Sequence, residues 1–200
     1  MIRDKKDFNK EEFAQLYIKR HRSLQERLGY QYTKKLNDLG FQKGKILDSG
    51  CGFGTMDIVL ARQFKNCEIT GIDLSVPLLA HANQLKVKDG LKDRVKFMLG
   101  DVAKLPFEKD SCDVVFNINM VHWVDSPLKM LEEIRRVLKP NGLLFIKDLR
   151  YSWLRLFEFE IKYALKINEA VNLIKEAKLK YGILSKSILW WEYEIHQPLY

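Results

Sequence analysis

The sequence predicts an α/β fold, a doubly wound and mostly parallel sheet preceded by a helical cap. Three observations predict it. Five short apolar runs, KILD, CEITGIDL, RVKFML, CDVVFNIN and LLFIKDL, follow one another between residues 45 and 149, and each is rich in β-branched or aromatic residues. Helical patterns separate most of them, which implies parallel strands with helices covering both faces. The first run ends in an acidic residue followed by three glycines at alternate positions, ILDSGCGFG, the signature of a strand that turns sharply into a helix.

Ahead of the strands, Phe13, Leu16, Tyr17, Leu24, Leu28, Leu36 and Leu39 recur at helical spacing, with Gly29 and Gly40 as breakers, so two helices are expected over 9–39. Between strands, helices are expected over 56–64, 77–88 and 127–138, the last two with a proline near the start, where a helix tolerates it. The gap 103–111 is too irregular for one. Beyond Arg150, 154–179 reads as amphipathic helix and ILSKSILWWEYEI as one sixth strand. A chain of 200 residues suits a single domain with 1–44 as cap, 45–150 as core and 151–200 as a C-terminal helix and strand.

Composition narrows the setting. A hydrophobic fraction of 46% and a charged fraction of 30% exclude disorder. No run approaches the roughly 18 apolar residues a membrane span needs, and the first residues, MIRDKKDFNKEEF, contain no apolar leader. Cys51, Cys67 and Cys112 have neither an even count nor C-x-x-C spacing, so no disulfide framework or metal site is expected and a cytoplasmic protein is. Of the net charge of +8, residues 1–45 carry +6, with 12 Lys/Arg against 6 Asp/Glu. That excess reads either as a solvated helix face or as an attraction for an anionic acceptor or RNA.

The glycines of Asp48-Ser49-Gly50-Cys51-Gly52-Phe53-Gly54 let a ligand approach the main chain where a helix opens. A dinucleotide fingerprint reads G-x-G-x-x-G, but the sixth position from Gly50 is Thr55, which disfavours NAD. Taken alone, the loop also reads as a bare turn. The second strand ends at Asp73, a carboxylate placed either to accept from both hydroxyls of a ribose or to cap the helix near Pro77.

With these blocks in view, the chain resembles the class I S-adenosylmethionine-dependent methyltransferases, and in particular the group acting on small molecules. The resemblance covers about 40 to 150. It rests on ILDSGCGFG, ITGIDLS followed by PLLAHA, LGDVAKLPFEKDSCDVVFNINMVHWV and LEEIRRVLKPNGLLFIKD, in the family's order and spacing. It implies a Rossmann-like fold and S-adenosylmethionine as cofactor. It further implies that Gly50, Cys51, Gly52 and Gly54 meet the methionyl end and ribose, with Asp48 near the cationic amino group. Asp73 would bind the ribose hydroxyls, Leu74 would pack on the adenine, and Asp101 would accept from the adenine amino group beside Val102. Asn117 falls where the family's backbone holds the amino-acid part.

His122, in MVHWVDSP, is the one near-neutral titrating group in the expected acceptor region, and reads either as a general base or as packing beside Trp123. Asn119 and Asp148, near the ends of the fourth and fifth strands, are candidates for touching an acceptor. Phe13 and Tyr17 match the region that in such enzymes folds over the cofactor, though aromatic residues at this spacing read first as core. Trp190 and Trp191 read as an edge strand or a subunit contact. Members of the family usually finish with an antiparallel hairpin, whereas only one strand is predicted here. The last strand is therefore expected to be missing, displaced or supplied by a partner, the last favouring a homodimer. The acceptor is expected to be a small molecule; the alternative function is a non-enzymatic cofactor- or partner-binding module on the same fold.

Overall fold

The computed structural model describes residues 8–152, 159–179 and 182–196. The chain divides into two compact units, 1–100 and 101–200. The first contains α1 (Glu11–Asp38), β1 (Lys43–Ser49), α2 (Thr55–Gln63), β2 (Asn66–Asp73), α3 (Val76–Lys88) and β3 (Val95–Leu99). The second contains β4 (Cys112–Ile118), α4 (Pro127–Val137), β5 (Leu138–Leu149), a 3₁₀ turn (Phe159–Lys162), α5 (Ile167–Glu176), β6 (Ile183–Lys186) and β7 (Trp190–Ile195). The seven strands follow the order β3-β2-β1-β4-β5-β7-β6.

In the first unit β2 pairs in parallel with both β1 and β3, with Asp48 opposite Gly71 and Asp73 opposite Leu99. Parallel neighbours need a crossover, and α2 and α3 supply it. Ser75 caps α3 by accepting from the Leu78 N–H at 3.3 Å, and Pro77 occupies its first turn, where no amide donor is lost. In the second unit β4 and β5 are parallel, and Val114, Val115, Phe116, Leu144 and Phe145 are fully enclosed. The Phe116 and Phe145 rings stack 5.2 Å apart.

The N-terminal cap differs from expectation, because one helix of 28 residues runs where two were expected. Gly29 does not break it. A side chain there would begin 2.7 Å from Val59 Cβ, so Gly29 is the place where α2 packs against the backbone of α1. Gly40, by contrast, does end the helix. It takes φ of 71°, and Phe41 N–H returns to the Leu36 carbonyl at 2.9 Å, closing the last turn as glycine does after helix ends.

The C-terminal expectation is also corrected. The run read as one strand is a hairpin of β6 and β7, and β7 lies antiparallel between β5 and β6, so this chain supplies its own seventh strand. Ser187 makes the turn: its N–H reaches the Trp190 carbonyl at 2.8 Å, and its hydroxyl accepts from the Trp190 N–H at 3.1 Å. A serine turn contains none of the glycine, proline or Asx signals that mark hairpins in sequence. Trp191 is fully buried. The helix expected over 154–179 is partly a 3₁₀ turn and partly α5; its stretch 154–158 lies outside the described residues. The interval 103–111 has no helix, as expected. Among the described residues no helix is long and apolar enough to cross a membrane, and no group of His, Cys, Asp and Glu could hold a metal ion.

Candidate functional site

The glycine loop is fastened from two sides in the first unit. Gly50 and Cys51 both donate to the Ile72 carbonyl, at 2.9 and 3.0 Å, and Gly52 N–H donates to Asp73 Oδ2 at 2.8 Å. Asp73 Oδ1 accepts from Ser75 N–H at 2.9 Å. Asp73 is therefore a brace between the loop and the start of α3, while Ser75 performs the capping that Asp73 was also a candidate for. Leu74, beside it, is 54% exposed. Gly54 stands at the N-cap of α2 with φ of 71°, and a side chain there would begin 2.5 Å from the Phe97 ring, so both conformation and space require glycine. Gly54 has no side chain with which to cap α2.

Beneath the loop lies a group of carboxyls. Asp48 closes β1 and Asp57 lies in the first turn of α2, 2% and 0% exposed. The two side chains are close enough for the charge on Asp57 to oppose ionisation of Asp48, and no ion pair joins either among the described residues. Burial pushes Asp57 up to about 7. Burial, then the charges of Asp57 and Asp73, holds Asp48 well above the usual carboxylate range. The same burial and the same three aspartates push the Cys51 thiol upward, so it is an inert neighbour of the loop. Asp57 had no place among the expected site residues. Its signal was an aspartate inside the apolar run MDIVLA of a helix buried from Thr55 to Ala61.

The N-terminal helix sits on this loop. Ala14 and Ile18 pack with Phe53 and Leu78, joined by Phe8 and Tyr17. The Tyr17 ring meets Phe53 edge-on at 6.1 Å, and Ser75 donates its hydroxyl to the Phe8 carbonyl at 2.6 Å. Tyr17 is thus a packing residue, as its spacing suggested, and what it packs against is the glycine loop. Gln25 was not singled out in the sequence, yet its amide nitrogen lies 3.6 Å from the point where a side chain on Gly52 would begin.

The second unit holds the other expected residues. Asp101 is exposed, and its Oδ1 accepts from Ala103 N–H at 2.8 Å in a local turn; Val102 beside it is buried. Asn117 is fully buried in β4 and donates its amide to the Met130 sulfur of α4 at 3.4 Å. Asn119 adopts a left-handed φ of 57°, and its N–H donates to the Lys147 carbonyl at 2.7 Å. His122 and Asp148, separate candidates in the sequence, are brought together. His122 Nδ1 lies 2.5 Å from Asp148 Oδ1, and its backbone N–H donates to Oδ2 at 3.3 Å. Both side chains are buried, and no group among the described residues bonds Nε2. His122 stands just past the carboxyl end of β4 and Asp148 is the penultimate residue of the parallel β5, at the edge where α/β sheets bind ligands. Trp123 lies beside His122, with Tyr163 at 6.2 Å from it.

The first unit thus brings together a strand, a glycine turn closed on an acidic second strand, and two buried carboxyls. Comparison with known proteins gives the class. Residues 47–146, half of the chain, match the family described as methyltransferase domain. The chain belongs to that family. It is 36% identical over 121 residues to a sterol 24-C-methyltransferase of Gibberella zeae, covering 59% of this chain and 30% of that protein. It is 30% identical over 138 residues to a malonyl-[acyl-carrier protein] O-methyltransferase of Legionella pneumophila, covering 65% and 48%. The chain therefore spans less than half the length of these relatives. A solved structure from Methanococcus maripaludis shares the fold over 98% of this chain and 97% of its own, with a TM-score of 0.80 and 20% identity.

Proposed function

We propose that the protein transfers the methyl group of S-adenosylmethionine to a small-molecule acceptor. One observation carries the reading: the glycine loop is closed onto Asp73 above the buried Asp48 and Asp57 pair, with no cation joined to that pair among the described residues. Such a site fits a ligand that brings hydroxyls, an ammonium and a sulfonium in place of phosphates. After Gly52 and Ser75, each Asp73 oxygen retains a lone pair for a ribose hydroxyl. Asp48 offers a carboxyl oxygen toward the amino group, and the exposed Leu74 offers an apolar face to the adenine. By their places in the family's motifs, Asp101 accepts from the adenine amino group, Val102 lies beside the ring, and the backbone at Asn117 holds the amino-acid part.

The bound cofactor supplies an activated methyl group, which leaves the protein the tasks of alignment and exclusion of water. His122 is the proposed general base, for an acceptor that keeps its proton until attack. Asp148 holds the Nδ1 proton and so leaves the Nε2 lone pair free to take one. The relatives' names span carbon and oxygen acceptors, so a base is needed only where the accepting atom carries a proton.

Calorimetry with S-adenosylhomocysteine, run beside transfer of labelled methyl groups to a panel of phenol, carboxylate, amine and alkene acceptors, tests the reading. Binding in the micromolar range is expected, with Asp73→Ala weakening it at least tenfold because two hydrogen bonds to a charged acceptor are lost. No heat and no thermal shift at a hundredfold excess over that Kd, where about 2.7 kcal/mol of stabilisation is due, removes it. Binding without transfer to any acceptor favours the non-enzymatic alternative. Asp148→Asn should preserve affinity and slow transfer to proton-bearing acceptors; unaltered transfer removes the base.

A further inference from the structure

We propose that Gln25 is a cofactor-binding residue of the N-terminal helix, accepting a hydrogen bond from the α-ammonium of the methionyl end. The inference rests on the function proposed above, and it deepens that reading by naming the contact through which α1 recognises the ligand. Gln25 is seven residues beyond Ile18, two helical turns along the face that packs on Phe53. Its side chain reaches the loop itself, with the amide nitrogen 3.6 Å from where a Cβ on Gly52 would stand. Its Oε1 is enclosed and has no hydrogen-bond partner among the described residues. An amide oxygen kept from water without a donor is costly, and such groups are normally satisfied in the state that functions. The oxygen and nitrogen of an amide exchange places by a half-turn, so the group over Gly52 can present either.

The chemistry of the surroundings selects the oxygen. Asp48, Asp57 and Asp73 surround the loop with carboxyl oxygens, Cys51 is uncharged, and the nearest loop amide, that of Gly52, is already given to Asp73. A ligand group that enters there is a donor, and an ammonium brings three N–H bonds to share between a carboxylate and an amide oxygen. Thr55, in the first turn of α2, adds a second buried oxygen without a partner among the described residues.

The test compares two ligands on the full chain by calorimetry: S-adenosylhomocysteine, and 5′-methylthioadenosine, which has the nucleoside and thioether but no amino-acid end. Gln25→Leu should weaken S-adenosylhomocysteine about tenfold and leave methylthioadenosine within twofold, so that the preference for the former collapses. Gln25→Glu, which keeps an acceptor at the same reach, should bind S-adenosylhomocysteine at least as tightly as the parent. Equal weakening of both ligands by Gln25→Leu would mean that the side chain only packs the helix onto the loop, and overturns the proposal. So does unchanged affinity, or a Glu variant as weak as the Leu variant. A parent that binds neither ligand overturns the methyltransferase reading and this proposal together, whereas a parent that binds both with no response at Gln25 overturns this proposal alone.

Discussion

Asp57 sits in the wall of the glycine loop with a carboxyl that burial makes reluctant to ionise. In an unfolded chain such a carboxyl titrates near about 3.9. The folded state therefore holds the proton more tightly, and the stability it contributes is full below the unfolded value and lost as pH rises through about 7. Asp57→Asn cannot ionise and keeps the size of the side chain. Its melting temperature relative to the parent should rise steadily from pH 4 to pH 8 in the ligand-free protein; a constant or shrinking difference would mean that the pair is not protonated in the folded state. The loop glycines, Asp48 and Asp73 were legible because backbone approach and the end of a strand leave marks at fixed offsets. Gln25 was not, because it reaches the loop across a packing contact that no local pattern records, and Asp57 left only the mark of an aspartate inside an apolar helical run. The link from His122 to Asp148 spans 26 residues and is made only when β4 and β5 lie side by side.

At the scale of elements, the junction of α1 with α2 is the feature that periodicity misjudged. Glycine in a helix interior costs about 1 kcal/mol against alanine, so sequence reasoning takes it for a break. At Gly29 the cost is offset by contact, since Val59 Cβ, Val59 Cγ1 and the Met56 carbonyl occupy the space a side chain would need. Gly29→Ala should therefore lower stability in spite of its better helix propensity. Overpacking costs about 1 to 3 kcal/mol, and a net loss of about 1 kcal/mol lowers the melting temperature by about 2 to 4 °C in a chain of this size. Thermal unfolding of Gly29→Ala alone and with Val59→Ala measures it. The second change should recover part of the loss, and a single variant more stable than the parent would show that the helices separate easily.

For the molecule as a whole, the N-terminal helix is more than a cover. Its segment up to residue 30 buries Ala14, Ile18 and Leu28, and its removal would also bare Phe53 and Leu78. Burying each large apolar side chain contributes about 1.5 to 3 kcal/mol, so deleting residues 1–30 removes about 5 kcal/mol or more, the scale of a whole domain's stability. The truncated chain should therefore fail to fold cooperatively, instead of leaving an intact sheet without its lid. A melting temperature within a few degrees of the full chain would show that the helix is dispensable. Lys19, Arg20 and Arg22, which contribute to the basic excess, lie on the exposed side of the helix.

The strand and helix alternation, the glycine loop, the acidic end of β2 and the family itself were determined by sequence alone, because each depends on residues close in the chain whose spacing matches a backbone geometry. Tertiary structure decided the remainder. It joined two predicted helices into one through a glycine that faces Val59, and folded one predicted strand into a hairpin through a serine turn. It also paired His122 with Asp148, set Asp48 near Asp57, and placed Gln25 over Gly52. Each of these depends on which surfaces meet once the chain is packed, and the free energy of such contacts is shared between residues too far apart in sequence to form a local pattern.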